Sequence, residues 1–140
     1  MIGTGMKSNI DKINHAGVDF LGEITNKDEL LDFYNQLTFL LITSEYEGFP
    51  MVMMESMAQG VISISTNVGG ISEHITNDFN GFLIDNENQE NSVNLFCNQL
   101  EKLFNDESKV NEISKNSYNY AHKNFGIDEF NKNYKNLFET

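Results

Sequence analysis

Phe39-Leu40-Leu41-Ile42 is apolar without a break, the pattern of a strand buried on both faces of a parallel sheet. A short turn containing Gly48 follows, and then the chain's only proline, Pro50, stands where a helix begins. Gly60 lies just past the expected end of that helix, where a left-handed cap is common. The unit is therefore strand, glycine-containing turn and helix. It sets a helix N-terminus at the carboxyl end of a strand, where open α/β sheets bind ligands.

Two carboxylates frame this turn, Glu47 before the helix and Glu55 within it. From Pro50 to Ala58 the helix is apolar nearly all round through Met51, Val52, Met53, Met54 and Met57, the pattern of a buried helix. Glu55 is its one charge, about 7 Å along the axis from Pro50. A glutamate so placed is costly unless it is hydrogen-bonded. Its two oxygens can accept from both hydroxyls of a vicinal diol. The competing reading is that both acids merely flank a favourable helix dipole on a solvated rim.

The stretch Glu47-Gly48-Phe49-Pro50, then Glu55 after seven intervening residues, then Ser56-Met57-Ala58-Gln59-Gly60 resembles the E-x7-E signature of the retaining glycosyltransferases of family 4 (group 1). The resemblance continues through Val61-Ile62-Ser63-Ile64-Ser65-Thr66, Gly69-Gly70, Glu73-His74-Ile75 and Asn80-Gly81-Phe82-Leu83. Upstream, Gly3-Thr4-Gly5 and Val18-Asp19-Phe20-Leu21-Gly22 fall where the family has a glycine turn and a strand followed by glycine. Ile62 and Ser63 depart from it, replacing the usual proline and valine, a change expected to alter strand packing more than chemistry.

The resemblance implies an α/β fold, a Rossmann-like parallel sheet flanked by helices, as part of the C-terminal domain of a two-domain GT-B enzyme. Residues 1–140 would form one domain that binds a nucleotide-sugar donor. The family's Gly-Arg turn and nearby lysine, which clamp the diphosphate, precede the point where this chain starts. The resemblance thus implies an N-terminally truncated domain, inactive alone, whose glycan or lipid-linked acceptor is held by a separate N-terminal domain. It implies hexosyl transfer from a UDP- or GDP-sugar to an acceptor hydroxyl, with retention and with no required metal or other cofactor. By the resemblance Glu47 would be the catalytic position, contacting donor sugar hydroxyls near the reacting carbon. The backbone of Gly48, Phe49, Pro50 and Met51 would face the sugar and distal phosphate, as suits an anion at a helix N-terminus. Glu55 would hold the two ribose hydroxyls. Gly3, Gly5, Gly69 and Gly70 complete the substrate-binding set; for each glycine pair a plain turn is the alternative. Two further readings stay open: a GT-B nucleotide-sugar 2-epimerase, which the Glu47-to-Pro50 pattern disfavours, and a non-catalytic Rossmann-like binding module. Assembly of bacterial polysaccharide is the setting the family suggests.

Charge narrows the partners. The formal net charge is −12 and all nine basic residues are scattered lysines, which disfavours nucleic acid and a polybasic membrane patch. Without arginine, no bidentate diphosphate clamp can come from this chain. Peripheral association of a full enzyme with membrane follows only from the family. A single cysteine, Cys97, reads as inert core on a helix face and places the chain by default in a reducing cytoplasm. The three histidines lack metal-ligand spacing, and only His74 lies near the proposed site.

Hydrophobic periodicity predicts helices over Met6–Ala16, closed by Gly17, and from Asn26 through Leu37, opened by a capping-box-like Asn26/Glu29 pair. Strands are expected at Val18–Leu21, Thr38–Thr43, Val61–Thr66 and Gly81–Ile84, with a short helix ending at Ile75. Beyond Asp85 three helices are expected within 91–140, over Asn91–Asn105, Val110–Phe125 and Ile127–Phe138. The last carries Phe130, Tyr134, Leu137 and Phe138 on one face, which without a partner domain is expected to be exposed or to self-associate.

Overall fold

The computed structural model describes residues 17–19, 21–85 and 89–138, the side chains of 89, 90, 130, 133, 134 and 136–138 excepted. Gly3, Gly5, the helix expected over Met6–Ala16 and the aromatic face of the last helix lie outside the described residues. The chain divides into two compact units, Met1–Phe33 and Tyr34–Thr140.

In the first unit, Gly17 (φ 78°) and Gly22 (φ 72°) both adopt the left-handed backbone that glycine tolerates. Between them Val18, Asp19 and Leu21 lie outside any strand, which corrects the strand expected there. The two left-handed glycines turn the chain at both ends of this stretch. Helix α1 (Lys27–Tyr34) opens as its sequence suggests, with Asn26 Oδ1 accepting from the amides of Asp28 (2.9 Å) and Glu29 (3.3 Å). It ends at Tyr34 rather than Leu37, whose N–H closes a turn onto the Tyr34 carbonyl at 3.0 Å.

The second unit is an α/β layer structure. Strands β1 (Phe39–Ile42), β2 (Ile62–Thr66) and β3 (Gly81–Ile84) form a parallel sheet in the order β1-β2-β3. Helix α2 (Met51–Met57) connects β1 to β2, and a 3-10 turn over Gly69–Glu73 leads toward β3. Three helices complete the unit, α3 (Gln89–Phe104), α4 (Glu107–Asn124) and α5 (Ile127–Phe138). The register aligns Phe39, Ile62 and one face of β3 through Phe82 and Ile84, while Leu40, Ile42, Ser63, Ser65 and Leu83 occupy the opposite face. The first face packs on Phe96 and Leu103 of α3 and Ile113 of α4. The second packs on Met53 and Met57 of α2, Ile71, Ile75 and Ala121 of α4. Burying each such side chain contributes about 1.5–3 kcal/mol.

Helix α4 ties the α2-to-β2 turn in place. Ser114 Oγ donates to the Gly60 carbonyl (2.7 Å) and Ser117 Oγ to the Val61 carbonyl (2.9 Å), while His122 Nε2 lies 3.1 Å from the Ala58 carbonyl. These bonds satisfy carbonyls that the helix end and the strand start leave unpaired. Gly60 has φ 79°, as its place past the helix requires.

Three expectations about burial need correction. The strand buried throughout is β2, whereas Leu41 of β1 is 46% exposed, because β1 lies at the edge of the described sheet. Helix α2 is buried only along Met53, Ser56 and Met57; Met51 is 68% exposed and Val52 also faces outward. Cys97 is exposed, because the buried stripe of α3 runs through Ser92, Phe96 and Leu103, and Cys97 sits about 100° round the helix from Phe96.

Candidate functional site

The site is built on the loop between β1 and α2, which leaves the carboxyl end of the parallel sheet. Pro50 caps α2 in an extended conformation (φ −72°, ψ 135°), one position earlier than expected, and no side chain caps the first turn. The loop is anchored by its neighbours rather than by a core of its own. Thr66 Oγ1, at the end of β2, donates to the Ser44 carbonyl at 2.6 Å. Gly70 N–H donates to the Gly48 carbonyl at 3.0 Å. Gly69 has φ 55°, and a Cβ there would stand 1.6 Å from the Glu47 carbonyl oxygen. The two glycines thus serve the close approach of one loop to another.

Phe49 turns inward. Its ring lies 4.2 Å from that of His74 and 5.3 Å from that of Phe125, centroid to centroid, and His74 Nδ1 is 3.1 Å from the Tyr120 hydroxyl. Burial pushes the Tyr120 phenol up from its ordinary value. His74 therefore belongs to an aromatic plug under the loop. Phe49 can offer a ligand only its main chain, while Gly48 and Met51 are exposed on the rim.

Each of the two carboxylates is half-buried and held by a hydroxyl. Ser44 Oγ donates to Glu47 Oε1 at 2.9 Å. Tyr34 Oη donates to Glu55 Oε2 at 3.1 Å. Tyr34 is only 4% exposed, and burial together with the Glu55 carboxylate raises its phenol to about 12, so it stays a neutral donor. Each carboxylate retains acceptor capacity beyond its one hydroxyl. The arrangement can therefore receive hydroxyl donors at two points, one in the loop and one on the helix.

Sequence reasoning singled out Glu47 and Glu55 and missed the residues that hold them. Ser44 is three positions from Glu47 and could have been found by that spacing; Tyr34 falls within the helix expected from Asn26 through Leu37, whose periodicity marks no partner for an acid. Among the described residues no group of three or more His, Cys, Asp or Glu side chains is gathered as a metal site would need. No described helix is long and apolar enough to cross a membrane.

Residues 6–120 match the family model of the glycosyl transferases group 1. An uncharacterized glycosyltransferase of Methanocaldococcus jannaschii is 30% identical over 112 residues, covering 80% of this chain and 30% of that protein. The C-terminal domain of LpcC, a glycosyl transferase group 1 family protein from Francisella tularensis, aligns at TM-score 0.70 with 26% identity, over 86% of this chain and 66% of that one. Anabaena HepE, solved in complex with UDP, aligns at TM-score 0.71 with 25% identity, over 87% of this chain and 32% of that one. The parallel sheet with its flanking helices has the Rossmann-like architecture of a GT-B glycosyltransferase, as the resemblance implied. With the family model matched along most of its length, the chain belongs to the group 1 glycosyltransferases.

Proposed function

We propose that this chain is the donor-binding part of a retaining, family 4 glycosyltransferase, which moves a hexosyl group from a nucleotide-sugar to an acceptor hydroxyl. The observation that carries this reading is the pair Glu47 and Glu55 on one strand-loop-helix unit at the carboxyl end of the sheet, each carboxylate oriented by a hydroxyl. UDP is the nucleotide best supported, since HepE was solved with it.

In this reading Glu55 accepts hydrogen bonds from the two ribose hydroxyls. Glu47 accepts from sugar hydroxyls near the anomeric carbon and favours the positive charge that develops there. The main-chain N–H groups of Gly48, Phe49 and Met51 face the sugar and distal phosphate, where preorganised dipoles stabilise the departing diphosphate. The anomeric carbon–oxygen bond to the diphosphate breaks, a carbon–oxygen bond to the acceptor forms, and the acceptor's proton passes to the departing phosphate. The acceptor, a glycan or a lipid-linked sugar, is presented by a domain beyond this chain. Gly69 and Gly70 serve the site by letting the loop that bears Glu47 settle against them.

Product analysis of the complete protein with UDP- and GDP-hexoses tests this reading. The expected result is a glycoside with the anomeric configuration of the donor, and a rate about 10²–10³-fold lower in Glu47→Ala with nucleotide binding kept. An epimerised nucleotide-sugar in place of a glycoside, or an unchanged rate in the variant, overturns it.

A further inference from the structure

We infer that Tyr34 is a positioning residue for nucleotide recognition: its buried hydroxyl holds the Glu55 carboxylate in the orientation that accepts the two ribose hydroxyls. The inference rests on the reading of Glu55 given above and extends it to a residue 21 positions away.

Glu55 projects from the second turn of a helix whose first turn exposes Met51 and Val52. A glutamate there has three side-chain torsions to order when a ligand binds, and that ordering opposes binding. The Tyr34 ring carries no such freedom. It is packed at 4% exposure, so its hydroxyl stands against Glu55 before any ligand arrives. By donating to Oε2 it takes one of about four acceptor positions on the carboxylate and sets the plane of the rest. A diol needs two acceptor positions at fixed separation, so a carboxylate with a set plane binds it with less ordering. The hydroxyl also serves Glu55 when no nucleotide is bound, offsetting the cost of a half-buried charge on an apolar helix. The tyrosine is a donor throughout the ordinary pH range because burial and the adjoining carboxylate both hold its proton on.

The test is a ratio measured within each variant. The complete protein is titrated calorimetrically with UDP and with 2′,3′-dideoxy-UDP, as wild type, Tyr34→Phe, Glu55→Ala and the double variant. The wild type is expected to prefer UDP. Tyr34→Phe should shrink that preference about three- to tenfold while leaving dideoxy-UDP affinity unchanged, and should add nothing to Glu55→Ala. Tyr34→Met, in which a flexible thioether fills the ring's space, is a second variant without the hydroxyl and should give the same ratio. If both tyrosine variants keep the wild-type preference while Glu55→Ala abolishes it, Tyr34 has no positioning role and the ribose reading of Glu55 stands. Equal weakening toward both nucleotides would also overturn the inference, since it marks a merely structural role. If Glu55→Ala itself keeps the preference, the ribose reading fails and the inference falls with it.

Discussion

The two carboxylates of the site are supported in different ways. Glu47 stands in a loop and takes its hydrogen bond from Ser44, three residues before it. The loop in turn is fixed through its main chain, by Thr66 on the Ser44 carbonyl and by the Gly69-Gly70 pair against Glu47 and Gly48. Glu55 stands on a helix, so its backbone is already set, and its support among the described residues is the Tyr34 side chain from a distant part of the chain. A loop needs its backbone fastened and a short side chain suffices to aim the acid. A helix provides the backbone, but its neighbours at three and four residues are Met51, Val52, Ala58 and Gln59, which supply no hydroxyl. The hydroxyl that holds Glu55 comes instead through tertiary packing.

That contrast can be broken at its backbone. Gly69→Ala should have the largest effect on the Glu47 side, because the new methyl group meets main chain and the residue has φ 55°. A stability loss of about 3 kcal/mol or more is expected from overpacking and backbone strain together, read as a fall in the urea midpoint. The ribose preference proposed for Glu55 should survive in the folded fraction. Loss of that preference would show that the two supports are one.

A smaller effect follows from loosening the frame that both acids share. Ser117→Ala leaves the Val61 carbonyl unsatisfied at the start of β2, and its hydroxyl is fully buried. Stability should fall by about 1–3 kcal/mol with transfer rate and nucleotide affinity unchanged at saturating protein stability. Ser44→Ala touches only the aim of Glu47. It should lower the transfer rate about tenfold, of the order of one hydrogen bond to a charged group, without changing UDP affinity. A parallel loss of UDP affinity would mean that Ser44 supports the helix acid as well.

Titration of Tyr34 sharpens the Glu55 side. Its folded value, about 12, lies above the unfolded value of 10.0, so the folded protein holds the proton more tightly. The resulting stability is fully present below pH 10 and is lost as pH rises from 10 through 12. Tyr34→Phe should flatten that part of the stability profile. An equally steep decline in the variant would assign it to other groups. The smallest effect lies away from both acids: Ser63 Oγ is buried without a hydrogen-bond partner among the described residues, and Ser63→Ala should raise stability by about 1 kcal/mol.

What the sequence disclosed follows the same division between near and far. The turn into α2, the strand Gly81–Ile84, the helix Ile127–Phe138 and the Asn26 cap depend on residues within a few positions of one another, and they stand where periodicity and end signals set them. The spacing of Glu47 and Glu55 is local in the same sense. The exposure of Leu41 is not, because a run of apolar residues reads alike in a central strand and in an edge strand. Cys97 and the outward face of α2 were misread for a related reason. A helix whose residues are nearly all apolar does not disclose which stripe its neighbours will cover. Tyr34 is the extreme case, since nothing within 20 residues marks it as the partner of an acid.

Calorimetric titration of the complete protein with UDP, GDP and ADP, repeated on Glu55→Ala, tests Glu55 as a ribose ligand most directly. One nucleotide, expected to be UDP, should bind and should lose about 1.5–3 kcal/mol for each ribose hydroxyl released in the variant, with the fold intact by circular dichroism. Unchanged affinity in folded Glu55→Ala, or no binding of any of the three nucleotides by the wild type, would contradict it.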